Sequence, residues 1–450
     1  MRGPETWADR RLQMNHYGPR LPFGSTGGSG LTQRFVELDG PAAGREFEVM
    51  DASGGYASAC LGAGSPVIAG ALAEAVRTTG YVTDEIASAE RGRLLTGLFG
   101  DGGLFADAFP GDEYHVSGRN SGSEGMELAL RLALESRFDM RTLKPVPEKA
   151  GRDLIVAFEG AWHGWTGGLL PLLNRRHYRI GLPDLSAGPH GVTVRHIPYG
   201  DASVAAGLLA EHGHRVLAVV IEPVQGDAGI LVPPAGYLRE MAGLCRRHGA
   251  LLIADEVLTF AKTGRFFGMT DDDGPIRTDI TVIGKSLGMG ALSTSMVIAR
   301  RELSARETGA VATSDLRPLT CAVIGAGLRH LADTKLVEQA GDLSYVISAA
   351  LTDLVAAFPG LYREARGVGV MHGVELTEAA AQRLGDLRTT LIRHGVYVEF
   401  MSGAGRRTRG MRYVFPTMRI APPLIATTAD VAEMAKRLAE GSRAFQVALK

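Results

Sequence analysis

Lys285 stands directly behind Ile280, Thr281, Val282, Ile283 and a glycine, in the stretch ITVIGKSLGMG of residues 280–290. Four apolar or β-branched positions closed by glycine read as a short buried strand. The lysine then falls at the carboxyl end of that strand, the edge where open α/β sheets place their ligands. An amine there suits imine chemistry. Its ordinary pKa is about 10.4, and desolvation or a cationic neighbour turns it into a nucleophile near neutrality. A lone Gly-Lys pair fits a surface lysine in a strand-to-helix loop equally well, so the reading rests on what the other strand ends carry.

Asp255 ends the run LLIADEV of residues 251–257. A carboxylate straight after four apolar positions is expected to be partly buried, which is costly without a cationic partner. A protonated pyridine nitrogen would serve, as would an arginine or a helix N-terminus. In residues 115–136, Asn120, Ser121, Gly122 and Ser123 precede apolar positions that recur at helical spacing. Small residues at a helix start leave backbone N–H groups and a positive dipole end for a phosphate; an ordinary helix capped by Ser123 fits as well. In FEGAWHGWTGG, residues 158–168, Trp162 and His163 sit in a glycine-rich loop at a strand end. An aromatic ring there can cover a planar ligand. Trp162 as a core residue with His163 as its hydrogen-bonded neighbour fits equally.

These residues need elements to position them. From Glu85 onward, strand candidates at 154–158, 216–221, 251–254 and 280–283 are separated by amphipathic stretches, the pattern of a largely parallel sheet with both faces covered. A polar residue stands at or just past each strand: Glu159, Glu222, Asp255 and Lys285. The carboxyl ends of such strands converge on one crevice. The expected organisation is an N-terminal segment, 1–80, that joins a small domain; a large α/β domain, 81–320; and a C-terminal remainder, 321–450, that completes a small α+β domain. The strongly basic stretch at 403–413 reads as a solvated loop, with an acidic substrate or peptide as the alternative.

The composition narrows the function classes. The chain has 450 residues, 45% hydrophobic and 22% charged, and a formal net charge of -1. That balance argues against general attraction to nucleic acid or an anionic membrane. Cys60, Cys245 and Cys321 are odd in number and far apart, which suits core or loop thiols in a reducing compartment. The first thirty residues lack the continuous apolar core of a secretory signal, and no run of eighteen apolar residues suggests a membrane span. The expectation is a cytoplasmic protein.

Taken together, NSGSEGMELALRLA, the AWHG loop, VIEPVQGDAGILVPPAGYL, LLIADEV, TDITVIGKSLGMG and RIAPPL resemble, in order, the class III aminotransferases, pyridoxal 5'-phosphate (PLP) enzymes of fold type I. The resemblance runs over residues 38–440. It implies a mostly parallel seven-stranded-type sheet covered by helices, a small α+β domain from both chain ends, and a homodimer with shared active sites. It also implies amino transfer between an amine or amino acid and a keto acid or aldehyde. Lys285 matches the Schiff-base lysine and Asp255 the partner of the pyridine nitrogen. Ser121, Gly122 and Ser123 lie at the phosphate-binding turn. Trp162, beside His163, takes the place of the stacking aromatic, Val257 that of the opposite face, and Glu222 that of the glutamate in the EPxQG strand end. Thr313 resembles the threonine that reaches the phosphate across the dimer.

Three departures bear on activity. Leu258 stands where the family has a glutamine near the cofactor's phenolic oxygen, in a stretch one residue shorter, which keeps an aminomutase or racemase on the same scaffold as an alternative. Arg317 replaces the asparagine before Pro318 and offers a cation to an acidic substrate group or a structural carboxylate. Trp162 replaces the usual tyrosine or phenylalanine. Arg419 matches the carboxylate-reading arginine and Asp227 the acid that screens it, so the expectation is that Arg419 binds a glutamate or 2-oxoglutarate carboxylate while Asp227 swings away. A non-catalytic PLP-binding protein is the remaining reading.

Overall fold

The computed structural model describes residues 7, 9–14, 20–174, 191–304, 310–403 and 416–448; the basic stretch beyond Gly403 lies outside them. Three strands open the chain: β1 (Phe23–Ser29), β2 (Thr32–Glu37) and β3 (Glu46–Asp51). Then follow β4 (Tyr114–Arg119), β5 (Leu154–Phe158), β6 (Thr193–Ile197), β7 (Val216–Ile221) and β8 (Leu251–Glu256). A two-residue hairpin, β9 (Thr270–Asp271) and β10 (Gly274–Pro275), precedes β11 (Ile280–Ile283) and β12 (Ser295–Arg300). The C-terminal strands are β13 (Tyr362–Val368), β14 (Met371–Leu376), β15 (Val396–Tyr397), β16 (Glu399–Met401) and β17 (Thr417–Ile420).

The central sheet has seven strands in the order β4-β12-β11-β8-β7-β5-β6. Strands β11, β8, β7, β5 and β6 run parallel, and β12 lies antiparallel between β4 and β11. Alternation along β5 explains why both faces are covered. Leu154, Val156 and Phe158 enter one core cluster, whereas Ile155 and Ala157 enter the other. Strands β5 and β7 therefore read as continuously apolar, and their chains turn polar only where they leave the sheet.

Two further sheets flank this layer. In one, β1-β2-β3-β15, the C-terminal β15 pairs parallel with β3, so opposite ends of the chain share a sheet. The other, β13-β14-β17-β16, is antiparallel throughout and carries Arg419 on β17. By length and composition alone the Leu336–Ala357 helix is apolar enough to cross a membrane, a test that a buried core helix of a soluble protein also passes. Its apolar positions Leu336, Ala340, Leu343, Ile347, Leu351 and Leu354 fall at helical spacing and are buried in the core.

Candidate functional site

Strand β11 ends at Gly284, and Lys285 opens a short 3-10 turn, Lys285–Gly288. The lysine holds φ at 43°, in the left-handed region that disfavours residues with a Cβ. Such strain persists where the surroundings fix it, often at functional sites. Lys285 is half-buried. Burial pushes its amine below the ordinary lysine range and the Arg419 charge adds to this, while Asp255, Glu222 and Asp227 pull the other way.

Asp255 stands opposite Val282 in the parallel register of β8 and β11, which brings the acid beside the lysine's strand. Its Oδ1 accepts the Val257 backbone N–H at 3.1 Å, and its Oδ2 lies 2.8 Å from His163 Nδ1. The partner that the buried carboxylate requires is thus the imidazole of the glycine-rich loop. Burial opposes charge on that ring, but the Asp255 carboxylate outweighs it and holds His163 above the ordinary histidine pKa. His163 Nε2 is buried and has no hydrogen-bond partner among the described residues.

The helix Gly122–Glu135 begins two residues earlier than a Ser123 cap would place it. Ser121 is the N-cap: its Oγ accepts the Glu124 N–H at 3.2 Å, and Glu124 in turn accepts the Asn120 N–H at 2.8 Å. Gly122 and Ser123 therefore occupy the first turn, where backbone N–H groups have no partner within the helix. Close contacts tie this turn to the rest of the site. A Cβ on Gly122 would meet Val257 Cγ1 at 2.7 Å, and one on Gly284 would meet it at 3.2 Å. Val257 thus sits between the helix start and the residue before Lys285. Gly164, with φ at 107°, lets the His163 loop press on Ser123 where a Cβ would collide with its hydroxyl.

Glu222, just past β7, is buried and accepts the backbone N–H groups of Trp162 at 3.1 Å and Gly226 at 3.3 Å. Burial raises its pKa to about 7. Trp162 is half-buried, its backbone anchored by Glu222. Leu258, in the place of the family's glutamine, packs into an apolar cluster with Ala57, Val224, Ile230, Met371 and Ala421. Sequence reading passed over Lys262. It is buried, donates to the Leu258 carbonyl at 2.8 Å, and burial beside Lys285 lowers its pKa to about 7.

Arg419 has a carboxylate partner that sequence reading did not name. The guanidinium grips Glu399 of the neighbouring strand and not Asp227. Asp227 lies in the turn after β7, with its charge felt at Lys285. Sequence reading passed over Glu399, although a single acid within the otherwise apolar run VYVEFM of residues 396–401 is a signal of a buried counter-ion. Thr313 and Arg317 line a cavity of about 880 Å³ with Asn120, Glu124 and Arg131, and Lys285, Asp255 and His163 are not in its walls. Arg317 Nε donates to the Thr313 carbonyl at 3.3 Å, and the guanidinium lies 5.3 Å from the Tyr81 ring centre.

This donor set fits PLP. Gly122 and Ser123 offer backbone donors to a phosphate, the His163-backed Asp255 offers a carboxylate to a protonated ring nitrogen, and Lys285 offers a desolvated amine to an aldehyde. The comparisons agree. The family model for class III aminotransferases matches residues 43–441. A mitochondrial ornithine aminotransferase from rice (Oryza sativa subsp. japonica) is 30% identical over 71% of this chain and 64% of its own length. An acetylornithine aminotransferase from Methanopyrus kandleri is 32% identical over 73% of this chain and 76% of its own. The ornithine aminotransferase structure from Toxoplasma gondii superposes with a TM-score of 0.77 at 24% identity, covering 97% of this chain and 93% of that one. An S-selective transaminase from Arthrobacter sp. gives 0.76 at 22% identity, covering 98% of each chain. The chain belongs to the class III aminotransferases, a family of PLP-dependent enzymes with the fold type I architecture seen here.

Proposed function

We propose that this protein transfers an amino group between an amine or amino acid and a keto acid or aldehyde. The observation that carries the reading is the convergence of Lys285, His163-backed Asp255 and the open helix start at Gly122 and Ser123 at the strand ends. PLP, when bound, supplies an aldehyde for the amine and a ring that takes up electrons from the substrate carbon. Gly122 and Ser123 would hold its phosphate end by backbone N–H donation. Asp255, fixed in orientation by His163 and the Val257 N–H, would offer a negative charge to the ring nitrogen. Val257 and Trp162 would cover the ring, and Glu222 fixes the Trp162 backbone. Lys285, its pKa lowered by burial, is free to accept the substrate's α-proton at Nζ and return it.

The protein would act as a homodimer with shared sites. The cavity lined by Asn120 and Thr313 adjoins the proposed phosphate turn, and a second copy seated there would carry Thr313 toward its partner's phosphate. Three buried, unpaired cysteines suit the reducing cytoplasm in which we place the protein.

The test is the visible absorption of purified protein supplied with PLP. A long-wavelength band that disappears with an amine, returns with a keto acid and is absent in Lys285→Ala is the expected result. Isomerised amino acid formed with no keto acid present would favour a mutase, and no band in the unaltered protein would overturn the assignment.

A further inference from the structure

Strand β8 runs out into a turn, residues 257–262, that carries Val257 and Leu258 directly behind Asp255. Buried charge closes the turn at both ends. Glu256 accepts the Thr259 hydroxyl and the backbone N–H groups of Gly268 at 2.8 Å and Met269 at 2.7 Å. At the far end Lys262 folds back over its own turn, where Nζ donates to the carbonyls of Leu258 at 2.8 Å and Phe260 at 3.4 Å. An amine placed there supplies donors to carbonyls at the end of a turn.

The N-terminal segment and the C-terminal sheet both reach this lysine. Its backbone carbonyl accepts the Val370 N–H at 2.9 Å, and a Cβ on Gly369 would collide with that carbonyl, so the link between β13 and β14 presses on the turn. A cavity of about 10 Å³ is lined by Lys262 with Ala57, Cys60, Val370 and Ala421. Cys60 in turn donates to the Ser286 carbonyl at 3.4 Å, beside Lys285. Lys262 is only 3% exposed, and burying a cation is costly. Burial lowers its pKa to about 7 and the Lys285 and Arg419 charges add to this, while Cys60 and Glu256 oppose it. An apolar side chain of the same length would avoid that cost, so the amine contributes its hydrogen bonds to the turn.

Those bonds act next to the tightest contacts of the site. Val257 donates its N–H to Asp255 Oδ1 at 3.1 Å, and its side chain meets the space where a Cβ on Gly122 or Gly284 would stand. The carbonyl that Lys262 holds belongs to the residue that follows. We propose that Lys262 is a positioning residue for the cofactor ring: by holding the Leu258 and Phe260 carbonyls it keeps Val257 wedged between Gly122 and Gly284, as the face that would cover the ring of bound PLP. This rests on the aminotransferase reading and deepens it.

Fluorescence titration of cofactor-free protein with PLP measures affinity, and circular dichroism in the visible band of the bound cofactor reads how the ring is held. Lys262→Met should weaken PLP binding by about tenfold, the scale of a lost hydrogen bond to a charged group, and should reduce the dichroism per bound cofactor. Lys262→Arg, which keeps a buried donor, should restore most of both. Val257→Ala should weaken binding by itself, and adding Lys262→Met to it should cost less than about twofold more, because the two act through one contact. Unaltered affinity and dichroism in a folded Lys262→Met overturn the proposal. So do fully additive losses in the double variant, which would leave Lys262 a support of the fold alone. Where Lys262→Met does not fold, Val257→Ala decides in its place, since unaltered binding and dichroism there remove the contact through which Lys262 acts. No PLP binding by the unaltered protein sinks the aminotransferase reading itself, a result distinct from binding that Lys262→Met leaves unchanged.

Discussion

His163 Nδ1 and Asp255 Oδ2 lie 2.8 Å apart although 92 residues separate them in the chain. The loop after β5 and the end of β8 are thereby locked together beneath the proposed ring site. His163→Asn should weaken PLP binding by about tenfold to a hundredfold, the range for losing a hydrogen bond to a charged group. Fluorescence titration of cofactor-free protein measures it.

The same pair sets a pH dependence. His163 is raised above its unfolded value of about 6.5, so its protonated form binds more favourably in the folded state. The stability it adds is fully present below the unfolded value and is lost as pH rises through the folded one. The melting temperature of cofactor-free His163→Asn should fall furthest below the unaltered protein in acid, and the gap should narrow as pH rises through that window.

Glu222 acts in the same direction. Its pKa rises from 4.5 to about 7 on folding, so the folded state holds a proton that the unfolded state has released, and stability falls as pH climbs through that interval. Glu222→Gln should remove this slope. Melting curves of the cofactor-free variant across the interval should gain on the unaltered protein as pH rises; parallel curves would mean that Glu222 stays ionised.

Gly226 and Leu258 are matched in shape, since a Cβ at 226 collides with the Leu258 side chain. Gly226→Ala should cost about 1–3 kcal/mol by overpacking. Adding Leu258→Ala should recover part of that loss, and denaturant titration of the double-mutant cycle measures the coupling.

A mixing experiment tests the proposed sharing of sites. If each site takes Lys285 from one protomer and Thr313 from the other, mixing inactive Lys285→Ala with a Thr313 variant that no longer binds the phosphate creates dimers with one intact site. Activity should return to about a quarter of the unaltered level for random pairing. No recovery would separate Thr313 from the partner's site.

The sequence by itself determined the strand ends and the chemistry at them. Four apolar positions before Gly284 and Lys285, and LLIA before Asp255, specify buried strands by period and polarity alone, because a parallel strand covered on both faces tolerates a charge only where it leaves the sheet. Local patterns also placed a helix behind Gly122, though not which serine caps it. Ser121 and Ser123 are chemically equivalent caps, and the choice falls to the turn geometry of Asn120 and Glu124.

Only the tertiary structure decided which charges neutralise one another. Asp255 meets His163 because β8 and β5 lie on either side of β7, and Arg419 meets Glu399, not Asp227, because β16 pairs in register with β17. Both pairings cross the sheets between residues distant in sequence. Sheet order and register set them, and a one-residue slip would turn those side chains to the opposite face.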